Sequence, residues 1–479
     1  MQQSSTAISK RDFWITMSVA FAAFIVSLDH YVVNICLPII AKDLCVGTNE
    51  VSRVAVVYFL VMATTLLIFA KVGDRIGLRP VFCLGYAVFG LGSLLCGISP
   101  SLNILLFSRC LQGIGGAMLY TSSFAIISRF LPPDITGRAF GILSTAGAFG
   151  IITGAPFGGF LAGFFNWHWV FLINVPLTIP AALIAMRVIP KEEVNPSGAE
   201  GSFDIPGAVM GFCGLLTLIC ALNVGHEMGW RSPMVLLSLG GSVAFLSAFT
   251  FRESRTRSPL IDPGIFKNLD FNFTHLATIM AIMFMAGSNF LIPFYLVDAE
   301  HLAVERAGMV LMVYSLAYII VSPLAGWAAD RVRPTYLCMV GMFSAASASV
   351  FFALFLRSSG LWAVICYLGW LGVSHGLFMS PNTKHVMSIF SSEKKGAVSG
   401  LFTTITMLGL VLGVSVFETV FSGKEPSGII LASATAIGKN TASLNQLFPA
   451  FERAYWLGGF FCMTAVVLIA LAGRKQTPA

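Results

Sequence analysis

Two ionisable side chains lie deep inside long apolar stretches of the chain. Asp29 stands in FIVSLDHYVVNICLP, and Arg109 stands in LFSRCLQGIGG. A charged group among so many apolar residues is energetically costly, so it usually faces a cavity and has a function. A carboxyl in this setting could carry a proton across a conformational change. A structural carboxylate paired with a buried donor is the alternative interpretation.

Arg109 is the natural partner of Asp29. If the two stretches cross a membrane in opposite directions, Asp29 lies about 16 Å and Arg109 about 10 Å from the outer end, at 1.5 Å per helical residue. The two depths differ by roughly the reach of an arginine side chain. A guanidinium near Asp29 would stabilise the carboxylate, and its departure would release it, which makes a switch. The alternative is an arginine that extends toward the outer headgroups.

The composition shows which elements must hold these groups. Of the 479 residues, 56% are hydrophobic and only 11% are charged, against roughly 25% charged residues in a soluble domain. Such a chain could not hide its apolar surface from water, which excludes a cytosolic enzyme, a nucleic-acid binder and a disordered protein. The net charge of +7 is spread over many short loops. The ten cysteines have no metal-site spacing and are interpreted as small buried hydrophobic residues.

Fourteen apolar stretches are long enough to cross a bilayer as helices, at about 20 residues per crossing. Lipid cannot hydrogen-bond an open backbone, and the stretches lack the alternation of barrel strands. The sequence therefore predicts an all-α polytopic membrane protein of the plasma membrane. The predicted spans are residues 13–40, 51–71, 80–99, 102–130, 137–163, 168–189, 204–224, 233–251, 271–297, 307–327, 336–356, 361–380, 397–421 and 454–472.

Lysine and arginine predict the orientation. If both termini share a side, that side carries 20 of the 29 basic residues, the other side carries eight, and Arg109 lies within a span. Basic residues concentrate on the cytoplasmic side of membrane proteins, so both termini are predicted to be cytoplasmic. The apolar stretch near the N-terminus is too long for a cleavable signal. The outer loop, residues 422–453, is predicted to be a linker, with a short surface helix or hairpin as the alternative.

An internal repeat divides the chain. Four glycines near residue 140 match four near residue 400 at a constant offset of 259, and an Asp-Arg pair recurs at an offset of 256. The repeat predicts fourteen helices arranged 6+2+6: a six-helix half over residues 1–190, an inserted two-helix segment over 191–270 and a second six-helix half over 271–479. The matching residues are Gly137, Gly141, Gly150, Gly154 and Asp74-Arg75 in the first half, and Gly396, Gly400, Gly409, Gly413 and Asp330-Arg331 in the second.

Two motifs predict moving parts. The loop 73–80 on the inner side carries an aspartate, arginines and a glycine suited to a left-handed turn, and we expect it to act with its repeat partner as a latch between the halves. The fifth span carries closely spaced glycines and a proline, which predict close helix packing and a hinge. The latch residues are Asp74, Arg75, Gly77, Arg79, Asp330 and Arg331. The hinge residues are Gly150, Gly154, Pro156, Gly158 and Gly159.

These motifs together resemble the fourteen-helix drug:proton antiporter family of the major facilitator superfamily, over nearly the whole chain. The resemblance lies in the acidic motif around Asp29, the loop 71–80, the segment Arg109-x2-Gln112-Gly113, the glycines of the fifth span and the segment 167–176. It departs from the family pattern at a few positions. These are Ala70 and Leu78 in the loop, Ala155 before Pro156, and His168 where arginine is usual.

The resemblance implies a proton-coupled exporter that works by alternating access on amphipathic, often cationic, toxic compounds. An exporter or importer of one endogenous metabolite or siderophore is the alternative. We expect no cofactor, because the proton gradient drives transport, and we expect a monomer in the bilayer whose partners are protons and a small-molecule substrate. A membrane enzyme would need a cluster of catalytic groups, and ATP drive would need a phosphate-binding loop; neither motif occurs in the sequence. Residues expected to line the substrate cavity are Asn34, Gln112, Asn289 and Glu418.

Overall fold

The computed structural model of the chain describes residues 9–191, 204–229, 231–256, 263–357, 360–389, 395–422 and 441–473. Within these ranges the regular structure is helical, without a strand. Two short elements are of other types, a 3-10 helix at Pro263–Lys267 and a π-helical turn at Tyr295–Ala299. The helices are α1 (Lys10–Asp43), α2 (Thr48–Ile76), α3 (Leu78–Gly97), α4 (Leu102–Phe130), α5 (Pro133–Phe164), α6 (Trp169–Leu172), α7 (Asn174–Val188), α8 (Ile205–Met228), α9 (Pro233–Glu253), α10 (Leu269–Phe294), α11 (Val304–Ala328), α12 (Pro334–Phe355), α13 (Gly360–Ser388), α14 (Lys395–Ser422) and α15 (Thr441–Gly473).

The helices account for the predicted crossings. Thirteen described segments are long and apolar enough to span a membrane, and α6 with α7 forms one of them. The 24 residues of α8 extend about 36 Å, which also exceeds a hydrocarbon core of about 30 Å. The all-helical membrane fold is thus confirmed. The predicted linker 422–453 is wrong in part, because α15 already begins at Thr441; residues 423–440 lie outside the described ranges.

The helices pair in the same way in the two parts of the chain. The contact of α1 with α5 recurs as α10 with α14, α3 with α4 as α12 with α13, and α2 with α4 as α11 with α13. Glycines permit these approaches, because a Cβ at Gly150 would lie 2.5 Å from the Phe24 carbonyl oxygen and one at Gly413 would lie 2.4 Å from that of Met283. The pairing is the one that the sequence repeat leads us to expect. The boundaries at residues 190 and 270 stay a prediction.

The two sets of helices meet along two lines, α5 against α11 and α2 against α14. Outside these lines, α8 packs against both α2 and α14, whereas α9 makes its main contact with α8 alone. Only 11% of the most apolar stretch of α9 is buried. Lipid must therefore cover most of α9, which places this helix at the edge of the bundle.

A polar cap joins α8 to α9 at one end. Asp204 accepts a hydrogen bond of 2.8 Å from the Gly207 amide and pairs with Arg252, while Thr256 donates to its second oxygen. Burial acts to raise the pKa of the Asp204 carboxyl, but these donors outweigh it and hold the pKa below its ordinary value. The two helices are thus held as a hairpin independently of their contacts with the bundle.

The peripheral position of α9 leads to a labelling prediction. A cysteine at Leu237 or Val243, whose side chains are exposed on the outer face of α9, should face lipid and resist a water-soluble thiol reagent. A cysteine at Ser144, which lines a cavity between the halves, should react and be protected by transported compounds. The measurement is mass-spectrometric labelling in a background without native cysteines. Substrate-protected labelling of α9 at mid-membrane depth would contradict this arrangement.

Candidate functional site

Asp29 and Arg109 form a buried ion pair. The Nη1 of Arg109 lies 2.7 Å from the Oδ2 of Asp29, and both side chains have an exposed fraction of 0%. The two residues reach each other because α1 packs against α4. The pairing predicted from their depths is present in the structure, and the arginine does not extend toward the headgroups.

Two amides complete the coordination of the carboxylate. The Nε2 of Gln112 donates to Asp29 Oδ1 over 2.8 Å, and the Nδ2 of Asn174 donates to the same oxygen over 2.9 Å. Gln112 also contacts Ser93 Oγ at 2.7 Å. A carboxylate accepts all of these bonds without a proton of its own. Asp29 is therefore held by helices α1, α4 and α7 in one hydrogen-bond network.

Arg109 is fixed from several sides. Its Nη1 also contacts Gln112 Oε1 at 2.6 Å, and its Nε donates to the Val54 carbonyl over 3.1 Å. The guanidinium carbon lies 4.2 Å from the centre of the Tyr58 ring, in cation–π geometry. Among the described residues, the Nη2 atom has no hydrogen-bond partner. This cation would lose its counter-charge if Asp29 were protonated or moved away.

A close approach of α3 and α4 positions the network. A Cβ at Gly92 would lie 2.6 Å from the backbone nitrogen of Gln112, and one at Gly115 would lie 2.4 Å from that of Phe89. No larger side chain fits at either position without separating the helices. The glycines thereby bring Ser93 within reach of Gln112. Sequence reasoning did not assign roles to Ser93, Tyr58 or Asn174, although Asn174 is an amide inside an apolar span, which is the signal that could have identified it.

The four residues expected to line the cavity lie on four different helices, α1, α4, α10 and α14. Gln112 lies in the charge network instead. The amide of Asn34 lies 3.5 Å from Nε2 of His30, whose ring packs on Phe59 at 4.3 Å between centroids. Asn289 is half-buried on α10, and Glu418 is buried near one end of α14. The role of these residues in lining the substrate cavity stays a prediction.

Within the predicted latch loops, the described contacts of Arg79, Asp330 and Arg331 lie within their own halves. Gly77 has the left-handed backbone expected of it, with φ of 94°, and Arg79 donates to the Met186 carbonyl at the end of α7. In the second half, Asp330 pairs with Lys384 of α13, and Arg331 stacks on the ring of Trp327. The Asp74 side chain lies outside the described part, and Arg75 is exposed.

The two halves are closed together at one end. A Cβ at Gly159 would lie 2.6 Å from the Val304 carbonyl oxygen, and one at Gly308 would lie 2.6 Å from that of Ala155, so α5 and α11 touch through their backbones. Lys42 and Asp298 form an ion pair of 2.6 Å at the same end. At the opposite end of α5, a Cβ at Gly141 would meet no atom of the described residues within 4 Å. The glycines and the proline of the fifth span thus lie where α5 packs against α1 and also where α5 contacts α11, which closes the two halves together at this end.

A cavity lies between the halves beyond this seal. It measures about 220 Å³ and is bounded by α1, α4, α5 and α11. The described residues of its lining are apolar apart from hydroxyl groups, and none of them carries a charged side chain. Tyr318 at its edge lies beside His375, with ring centroids 5.4 Å apart, and His375 also contacts the Tyr314 hydroxyl at 2.7 Å. The hydroxyl-bearing lining residues are Ser27, Tyr120, Ser123, Ser144 and Tyr318.

The chain matches the family model of the Major Facilitator Superfamily over residues 19–414. It belongs to this superfamily. Its solved structural neighbours include a bacterial homolog of the human lysosomal transporter Spinster, with a TM-score of 0.67, 16% sequence identity and coverage of 99% of this chain and 100% of that one. The protein is therefore a multi-pass membrane transporter and not an enzyme, as the motifs led us to expect.

Curated relatives of this superfamily member have diverse names. The riboflavin transporter RibZ of Clostridioides difficile is 28% identical over 97% of this chain and 98% of its own length. The multidrug efflux pump LfrA of Mycolicibacterium smegmatis is 28% identical over 89% of this chain and 84% of its own length. The uncharacterised transporter YebQ of Escherichia coli is 30% identical over 88% and 92%, respectively.

Proposed function

We propose that this transporter is a proton-coupled exporter that works by alternating access. The observation that carries the proposal is the buried pair of Asp29 and Arg109, because an ionisable carboxyl sequestered from solvent has a charge state that the protein can couple to its conformation. The names of relatives such as LfrA support export of toxic compounds. The proposal includes cytoplasmic positions for both termini. It also includes a protein that acts as a monomer in the plasma membrane.

The geometry supports a mechanism in which the proton and the cargo act at separate places. Protonation of Asp29 would remove the charge that holds Arg109, and the network between α1, α4 and α7 would loosen. Helix α1 packs on the glycines of α5, and α5 in turn contacts α11 at the seal between the halves. A movement of α1 would therefore displace α5 and alter this contact. The loops around Asp74 and Asp330 are proposed to hold the opposite end when it closes.

The lining of the cavity favours uncharged cargo. A cation placed there would lose its water without gaining a counter-charge, which costs several kcal/mol. The serine and tyrosine hydroxyls can instead bond neutral polar groups while the apolar walls pack against rings. We therefore narrow the expected cargo from amphipathic, often cationic, compounds to uncharged amphipathic ones.

A second candidate is transport of one endogenous metabolite. The specific observation in its favour is the riboflavin transporter RibZ, which aligns with 97% of this chain and is matched over 98% of its own length. A neutral, flat heterocycle with hydrogen-bonding edges also suits a cavity lined by rings and hydroxyls.

Transport into inverted membrane vesicles with an acidic interior tests the proposal. The cargo panel pairs a neutral aromatic dye with its permanently cationic N-methylated analogue and adds riboflavin. We expect the neutral dye to accumulate, a protonophore to abolish that uptake, and the uptake of the cationic analogue to be reduced by roughly 100-fold or more, in line with a cost of several kcal/mol for an unpaired buried charge.

Three outcomes separate the alternatives. Accumulation of riboflavin alone would favour the single-metabolite transporter. Faster uptake of the cationic analogue would contradict the neutral-cargo assignment while leaving proton coupling intact. Uptake that ignores the pH gradient for the whole panel would contradict proton coupling itself.

A further inference from the structure

A basic cleft opens at the end of the bundle where α1 and α3 begin and α7 ends. It has a volume of about 470 Å³ and is lined by basic residues from three separate segments of the chain. Among the residues that the structure describes, none that lines this cleft is a carboxylate. Asp12, in the first turn of α1, is not among the lining residues. The basic residues are Lys10, Arg11, Arg79, Arg187 and Lys191.

These cations are not neutralised by the described part of the protein. None of the five forms an ion pair with a described carboxylate, whereas Lys384 pairs with Asp330 and Arg252 with Asp204 at the same end of the bundle. Arg79 donates to the Met186 carbonyl, so its guanidinium is directed along the end of α7. Like charges gathered around one cleft repel one another unless an anion enters. The described residues of the cleft therefore carry an excess of positive charge, which attracts an anionic ligand.

The surroundings of the cleft match a membrane interface. Trp14 is itself a lining residue and is 50% exposed, and it forms an edge-to-face pair with the exposed Phe13 at 5.8 Å. Exposed aromatic rings of this kind favour the headgroup level of a bilayer. One turn below the cleft, Leu183 and Ile184 of α7 present exposed aliphatic side chains. An anion bound by the basic residues would therefore have apolar surface directly beneath it.

We propose that this cleft binds the phosphate headgroup of an anionic phospholipid, whose acyl chains lie against the exposed face of α7. The guanidinium and ammonium groups of the cleft can donate hydrogen bonds to a phosphate group, which either a lipid headgroup or a soluble phosphate would present. The aliphatic surface beneath the basic residues favours the lipid. The site is separate from the cargo cavity and the Asp29 network, and it does not depend on the proposed transport reaction.

The test compares lipid retention by native mass spectrometry after reconstitution in phosphatidylcholine nanodiscs with and without phosphatidylglycerol. The variant Arg11→Gln/Arg187→Gln/Lys191→Gln removes three cations from the cleft. The matched control Arg138→Gln/Lys267→Gln/Arg333→Gln removes three exposed cations elsewhere at the same end of the bundle. We expect the first variant to lose about 100-fold in phosphatidylglycerol affinity and the control to keep the wild-type value.

A variant that preserves the positive charges serves as a control for loss of folding. Arg11→Lys/Arg187→Lys should fold and retain phosphatidylglycerol. Equal losses in both triple variants, or no preference for phosphatidylglycerol in the wild-type protein, would overturn the proposal. A separate arm adds inorganic phosphate to phosphatidylcholine nanodiscs. Binding of inorganic phosphate without selective lipid retention would likewise overturn the lipid assignment and leave a site for soluble phosphate.

Discussion

Asp29→Asn is expected to abolish proton-driven transport. The asparagine keeps the size of the side chain but cannot take up and release a proton, and it leaves Arg109 as a buried cation without a counter-charge. Breaking a buried ion pair from one side costs about 3–5 kcal/mol. The measurement is uptake of a transported dye into inverted vesicles under an imposed pH gradient. Wild-type rates from the variant would contradict the role of Asp29.

A purely structural carboxylate would also be sensitive to this change, so a compensated variant is needed. Asp29→Asn/Arg109→Gln removes both charges together and replaces the ion pair by neutral groups that can still hydrogen-bond. We expect the double variant to recover most of the thermal stability lost in Asp29→Asn, because no unpaired charge remains. It should nevertheless show no response to the pH gradient. Recovery of gradient-driven transport would indicate that the pair serves stability alone.

Gly159→Val is expected to hold the two halves apart at the sealed end and to stop the transport cycle. The new side chain would begin 2.6 Å from the Val304 carbonyl oxygen, and a backbone atom cannot move aside unless α11 moves. Overpacking of this kind costs about 1–3 kcal/mol, which corresponds to a roughly 5- to 150-fold shift between the closed and open states. The measurement is the distance between spin labels at Phe165 and Arg306, two exposed positions flanking the seal.

Gly141→Val provides the matched control on the same helix. Its Cβ would meet no atom of the described part of the chain within 4 Å. Both substitutions therefore change the helix propensity equally, but only Gly159→Val clashes with another helix. The control should not widen the label distance across the seal. If both variants gave the same distance distribution as the wild-type protein, the contact of α5 with α11 would not be the seal.

Much of the candidate site could be predicted from the sequence, because a lipid environment restricts where charged residues can lie. Charge is so costly in a bilayer that Asp29 and Arg109 stand out among apolar neighbours, and helical rise places them at compatible depths. The same reasoning could not place polar but uncharged residues. Gln112 was expected in the cavity and lies in the ion-pair network, while Asn174 was assigned no role and donates directly to Asp29. An amide is tolerated at many depths, so its type alone does not indicate which face of a helix it occupies.

Composition, segment length and glycine spacing are enough to assign the class of the protein: the composition requires a membrane, the apolar lengths require about fourteen helices, and the glycine offset predicts related halves. These properties follow from local chemistry and periodicity, which do not depend on how helices pack. Three features emerge from the packing of the helices: the seal between α5 and α11, a cavity whose described lining carries no charge, and a cleft surrounded by five cations. Each of these features joins residues from distant segments, and their meeting depends on side-chain packing between helices, which no linear pattern encodes.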